Sequence, residues 1–122
     1  MPSAKQVFGS RAEQAAADFL RRRNYQIISQ HVTNRYGEID ILCRDGETWV
    51  AAEVKIRRSD RFGTALESVT ASKVEKLLAT LHEYLDQHEM QTDDVRVDVV
   101  ALDPGSEPGQ FRVELLTGAT GT

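Results

Sequence analysis

The chain has 122 residues, enough for one domain with a buried core and too few for two. Its composition, 40% hydrophobic and 28% charged, is typical of a soluble globular protein, and no apolar run is long enough to span a bilayer. We see no signal peptide, and the single cysteine, Cys43, excludes an internal disulfide. We therefore expect a cytoplasmic protein that does not associate with a membrane.

The net charge of −4 hides an uneven distribution along the chain. Up to Arg61 there are eleven Lys and Arg against eight Asp and Glu, a net +3, whereas four against eleven give −7 beyond it. This balance disfavours indiscriminate binding of nucleic acid but allows a local basic patch. Two groups could follow a phosphate backbone. They are the run at 21–23, equally well explained as a solvated helix end, and the set Lys55, Arg57, Arg58 and Arg61.

The spacing of apolar residues and turn signals predicts two helices and a small sheet. In chain order we predict a helix at 9–23, strands at 25–28, 38–44 and 47–56, a loop at 57–69, a helix beginning at the capping box Ser72-Lys73-Val74-Glu75, a strand at 95–102 and an edge strand at 111–116. The polar stretch through Tyr36 either continues the first strand or is a loop. Because a helical crossover precedes the fourth strand, that strand can lie parallel to a neighbour.

The turn signal Asp45-Gly46 predicts which residues of the two flanking strands lie opposite each other. If these two residues are the centre of a type I′ turn, Asp40 lies opposite Ala51 and is a diagonal neighbour of Glu53, roughly 7–8 Å away at Cα. Strand side chains alternate between faces. One face is then apolar core, and the other holds Glu38, Asp40, Glu53 and Lys55.

Two carboxylates that converge beside a lysine suit a hard cation such as Mg²⁺ or Mn²⁺. The competing interpretation is a structural salt bridge between Asp40 and Lys55. Crowded like charges on a sheet face are destabilising without a cation, which favours the metal. The three histidines show no ligand spacing, so we predict that they are surface residues: His31, His82 and His88.

An α-β-β-β-α-β order with Asp and Glu-x-Lys on the second and third strands resembles the restriction-endonuclease-like (PD-(D/E)xK) nuclease superfamily, which includes Holliday junction resolvases. The chain is most similar to the YraN-like family of small bacterial proteins. That resemblance covers nearly the whole chain, and its motifs are Gly9 with Ala12-Glu13 and Ala16, Gly37 to Asp40, Glu53 to Arg57, Lys73, and Arg96 to Val100. It implies a restriction-endonuclease-like α/β fold with a mixed sheet flanked by helices. We expect one nuclease-like domain over 1–116 and a disordered tail over 117–122.

The resemblance also implies roles for individual residues. It assigns Asp40 and Glu53 as ligands of Mg or Mn, and Lys55 as the group that positions the attacking water. Glu13 matches the acid that resolvase-like members contribute through a water on the metal, although a helical Glu is usually just solvated. We further predict nucleic-acid contacts from the basic set Arg57, Arg58, Arg61 and Lys73. Arg96 and Asp98 are expected to pair structurally within the sheet.

The chain departs from the family pattern at Gln30-His31 and Thr33, where relatives usually carry an Arg-Asn pair and another basic residue, and at Ala51-Ala52, where they carry bulkier residues. The expected function is a metal-dependent endonuclease acting on DNA, with branched or forked DNA as the substrate suggested by the resolvases. The alternatives are a non-catalytic nucleic-acid-binding module and an adaptor in a DNA-processing complex, with the acidic second half facing protein. A homodimer is compatible with the sequence.

Overall fold

The computed structural model describes residues 4–56, 69–107 and 109–120. Its elements are α1 (Ala4–Arg22), β1 (Gln26–Asn34), β2 (Gly37–Asp45), β3 (Thr48–Ile56), α2 (Ala71–Gln87), β4 (Val95–Pro104) and β5 (Phe111–Leu116). The order α-β-β-β-α-β with a final edge strand confirms the predicted fold class. The polar stretch before Tyr36 is strand rather than loop.

The five strands form one mixed sheet in the order β1-β2-β3-β4-β5. The β3 and β4 strands are parallel and are joined through α2, while the other neighbours are antiparallel. The expectation of a parallel fourth strand is confirmed, because a helical crossover returns the chain to the same end of the sheet. This arrangement is consistent with a restriction-endonuclease-like core.

Both faces of the sheet are buried, so the prediction that one face is core and the other is free for chemistry is wrong. Ala16 and Leu20 of α1 pack on one face, and Leu77 and Leu81 of α2 pack on the other. An amphipathic crossover helix must bury its apolar stripe, and the second face of the sheet is the surface that receives it. Cys43 lies in the α1-side core, where burial raises the pKa of its thiol to about 12, so it is not a nucleophile.

The hairpin between β2 and β3 has a different register from the predicted one. Asp45 pairs with Thr48, so the two loop residues are Gly46 and Glu47 rather than Asp45 and Gly46. Gly46 comes first in the loop with φ 62°, a conformation that favours glycine. The shift of two positions means that the register, continued past its last pair, places Asp40 directly opposite Glu53 instead of diagonal to it.

The start of α2 also differs from prediction. The N-cap of α2 is Thr70, whose hydroxyl accepts a hydrogen bond from the amide of Lys73 at 3.2 Å, and not the Ser72 of the predicted capping box. After β5, the amide of Gly118 donates a hydrogen bond to the Asp98 carboxylate and the amide of Ala119 donates one to the carbonyl of Val97. Most of the predicted loop at 57–69 lies outside the described residues. Among the helices described, none is long and apolar enough to cross a membrane.

Candidate functional site

The regular pairing of β2 with β3 ends at Asp40. The last paired residues are Ile41 and Ala52, and beyond them the Asp40 carboxylate accepts a hydrogen bond from the amide of Val54 at 2.8 Å. A side-chain oxygen thus satisfies a strand amide where the ladder stops. The backbone holds the carboxylate in a fixed position against β3.

The strand geometry also changes at this point. Ile41 packs in the α1-side core and Ile39 in the α2-side core, so the simple alternation of faces fails between them. The pairing of β1 with β2 passes from Gln30 and Ile41 to Val32 and Ile39, with His31 and Asp40 between these pairs, and the φ of His31, 56°, is unusual for a residue other than glycine. The distortion is therefore shared by two adjacent strands beside the carboxylate.

Glu53 is a buried acid, only 7% exposed, next to Asp40. Its pKa is raised, first by burial and then by the negative charge of Asp40, which also lies within hydrogen-bonding reach. Both effects disfavour the ionised form of Glu53. We call Asp40 and Glu53 the acidic pair.

Two lysines partly offset that charge. The ammonium of Lys73 lies 3.7 Å from a carboxylate oxygen of Glu53, and the positive charges of Lys73 and Lys55 act against the rise in the Glu53 pKa. Lys73 reaches the acidic pair because it lies in the first turn of α2, the helix that covers this face. The structure thus groups Asp40, Glu53, Lys55 and Lys73, whereas Arg57, Arg58 and Arg61 lie outside the described residues.

The donor chemistry of the acidic pair fits a hard divalent cation. The donors are carboxylate oxygens, and within 4–56, 69–107 and 109–120 no group of three or more His, Cys, Asp or Glu side chains is arranged to hold a metal. A Mg²⁺ ion usually takes one or two carboxylates and keeps several waters, so two donors are sufficient for it. The contacts do not favour a structural salt bridge between Lys55 and Asp40. The ion pair that the described residues form at this site joins Lys73 to Glu53.

Glu13 belongs to a separate cluster. The imidazole of His31 contacts Glu13 at 2.7 Å through Nε2 and Glu38 at 3.3 Å through Nδ1. The hydrogen bond to Glu38 and the charge of Glu13 raise the pKa of His31. Glu13 is therefore paired with His31 and not directly with the acidic pair. His31 is exposed, as predicted for a surface residue, but the sequence did not indicate its contacts with Glu13 and Glu38.

A buried polar network lies elsewhere in the sheet. Asp98, fully buried, accepts hydrogen bonds from the Tyr25 hydroxyl at 2.8 Å, from the Arg96 guanidinium at 2.8 Å and from the Gly118 amide at 3.0 Å. Arg96 also pairs with Asp45 at 2.9 Å. The predicted structural pairing of Arg96 with Asp98 is confirmed. Tyr25 and Asp45 were missed, because they are far from Asp98 in sequence.

The chain matches known proteins over most of its length. The model of uncharacterised protein family UPF0102 matches residues 12–102. This range includes the acidic pair together with Lys55 and Lys73. Curated UPF0102 proteins are 41% identical over 111 residues in Symbiobacterium thermophilum, covering 91% of this chain and 93% of the relative, and 40% over 116 residues in Arthrobacter sp., covering 94% and 97%. A UPF0102 protein of Vibrio parahaemolyticus is 38% identical over 100 residues, covering 81% and 83%. The chain belongs to the UPF0102 family, the YraN-like family that its motifs predicted.

Proposed function

We propose that this protein is a metal-dependent nuclease that hydrolyses phosphodiester bonds in DNA. The observation that carries the proposal is the acidic pair: a buried Glu53 with a raised pKa beside a backbone-anchored Asp40. Perturbed carboxylates of this kind are found preferentially at functional sites. A purely structural role would leave the protein with repulsion that an amide side chain would relieve.

The two carboxylates would hold Mg²⁺ or Mn²⁺. When bound, such a cation supplies Lewis acidity that polarises a phosphate and neutralises the charge that grows on it. Asp40 is suited to be the fixed ligand, because the Val54 amide already restrains one of its oxygens. Glu53 is suited to be the ligand that gains most from the cation, because its ionised form is the more disfavoured.

The positions of the neighbouring charged residues suggest their roles in the proposed reaction. Lys55 lies two residues after Glu53 on β3, and we assign it to orient the attacking water and to stabilise negative charge in the transition state. Lys73 enters from α2 and would contact a phosphate of the substrate once a cation replaces it at Glu53. Glu13 is paired with His31, so we assign it no direct contact with the cation.

DNA is the proposed substrate, and branched or forked DNA is the preferred form by analogy with the resolvases. The contacts that would select such a form involve the basic set at Arg57, Arg58 and Arg61. The net +3 of the first 61 residues is the supporting feature of the chain.

The experiment is a cleavage assay of the purified protein with Mg²⁺ or Mn²⁺ on linear, flapped, forked and four-way DNA. We expect cleavage by the wild type, none by Glu53→Gln, and none by Lys55→Ala although its affinity for DNA stays within a few-fold. Glu75→Gln and Lys76→Ala, two exposed positions on α2, are matched controls that should retain activity. Binding without cleavage by the wild type under every condition would leave the non-catalytic module as the better description.

A further inference from the structure

The two edges of the sheet are built differently. The β1 edge is irregular, with a register shift between Ile27 and Ser29 and a positive φ at His31. Irregularities of this kind protect an edge from pairing with another strand. The β5 edge has no such device: its six residues pair with β4 in unbroken register, and no other described strand pairs with its outer side.

The sequence of β5 is complementary to itself. If two copies pair antiparallel about Val113, Arg112 lies opposite Glu114 of the second copy, and the same pair forms again by symmetry. Arg112 and Glu114 are both exposed in the single chain. Antiparallel strands alternate between hydrogen-bonded and non-hydrogen-bonded residue pairs. A two-fold axis can pass through either type of pair, so this register is possible whichever type Val113 forms with its copy.

The other face of β5 is equally suited to the same pairing. Val113 and Leu115 are half-buried and pack at the margin of the α1-side core. Two-fold pairing would place apolar residues opposite each other on this face, with Leu115 opposite Phe111 of the second copy. The core of one copy would thereby continue into the core of the other.

We propose that the protein dimerises through its β5 edges, so that two five-stranded sheets join into one of ten strands. The partner is a second copy of this chain, because antiparallel pairing places Arg112 of each copy opposite Glu114 of the other. This inference does not depend on metal binding or on cleavage. A short edge contact of this type gives a weak dimer that is favoured at high protein concentration.

The test uses reversed charges and sedimentation velocity over a concentration series up to the solubility limit. The wild type should dimerise as concentration rises. Arg112→Glu alone and Glu114→Arg alone should each be monomeric, since each places like charges opposite each other twice. An equimolar mixture of the two single variants should recover the dimer, because every cross-strand pair in the mixed dimer is then of opposite charge.

The controls separate pairing from folding. The double variant Arg112→Glu/Glu114→Arg should dimerise like the wild type, and Glu75→Arg on α2 should change charge without effect. Arg112 lies opposite Asp103 of its own chain, whereas Glu114 lies opposite Ala101, so Glu114→Arg is the variant least able to disturb the fold. Circular dichroism of each variant checks that it is folded. A wild type that stays monomeric, or a dimer that neither single variant weakens, would overturn the proposal.

Discussion

Replacing Glu53 with glutamine should stabilise the metal-free protein while removing its proposed function. Ionised Glu53 suffers from burial and from the charge of Asp40, and its raised pKa expresses both. The amide of glutamine has a similar shape and carries no charge. The variant therefore loses the repulsion and the cost of burying a charge, and it also loses the attraction of Lys73.

The magnitude follows from these three contributions. Like charges on opposed strand residues cost roughly 0.2–1 kcal/mol, and burial of Glu53 places this case at the upper end. Leaving a buried carboxylate incompletely compensated costs on the order of 1 kcal/mol more. The contact with Lys73 returns about 0.5 kcal/mol, because the lysine side chain is 42% exposed and its charge is screened. The net expectation is a gain of about 1.5 kcal/mol in the free energy of unfolding for Glu53→Gln.

The sign depends on pH. A carboxyl with a raised pKa in the folded state contributes its stability while it is protonated, at pH below its ordinary value of 4.5, and loses that contribution as pH rises through the folded value. The gain from Glu53→Gln should therefore be present at pH 8 and nearly absent at pH 4. Urea denaturation of both proteins in EDTA at the two pH values measures it. A variant that is less stable than the wild type at pH 8, or a difference that is equal at both pH values, would refute the reasoning.

Lys73→Met should raise the affinity for Mn²⁺ several-fold by calorimetry, because the cation no longer competes with an ammonium for Glu53; unchanged affinity would show that Lys73 does not occupy the cation site. His31→Gln should lower the melting temperature at pH 5.5 but hardly at pH 9, since a raised histidine pKa contributes stability below its ordinary value and loses it as pH rises; an equal loss at both pH values would contradict this. Asp98→Ala should cost about 3 kcal/mol in urea denaturation, because it removes the buried acceptor of Arg96, Tyr25 and the Gly118 amide and leaves Arg96 with Asp45 as its carboxylate partner, and Tyr25→Phe should cost about 1 kcal/mol.

The order of elements was predictable because each has a local signature. The apolar stripe of α2 and the alternation in β4 depend only on neighbouring residues, and both were located to within a few positions. The pairing of Asp40 with Glu53 was predicted to be close, but the register was shifted by two, because a turn of either Asp45-Gly46 or Gly46-Glu47 satisfies the local sequence. The residues that flank the observed turn contact distant parts of the chain, Asp45 with Arg96 and Thr48 with Asp94, and the local sequence does not indicate these contacts.

The parts that sequence could not give depend on contacts between distant segments. Lys73 reaches Glu53 only because α2 crosses that face of the sheet, and nothing near Lys73 in sequence indicates the partner. The contacts of His31 with Glu13 and Glu38 depend on how α1 lies against the edge strand. The docked residues 118 and 119 have no apolar or strand pattern, because backbone amides hold them in place.

One part of the sheet, β1 to β3, pairs strands that are adjacent in sequence, whereas β4 pairs with β3 across a long connection, and this difference affects the order of folding. The β1–β3 meander pairs residues close in sequence, whereas Trp49 of β3 pairs with Val95, 46 positions later. Closing the longer loop costs more conformational entropy, so the meander should form early and β4 should dock late. Substitutions in β4, such as those at Asp98, should then act mainly on the rate of unfolding, and substitutions in the meander on the rate of folding. Asp40 and Glu53 would come together when the β1–β3 meander forms, and Lys73 would contact Glu53 only after α2 packs on the sheet.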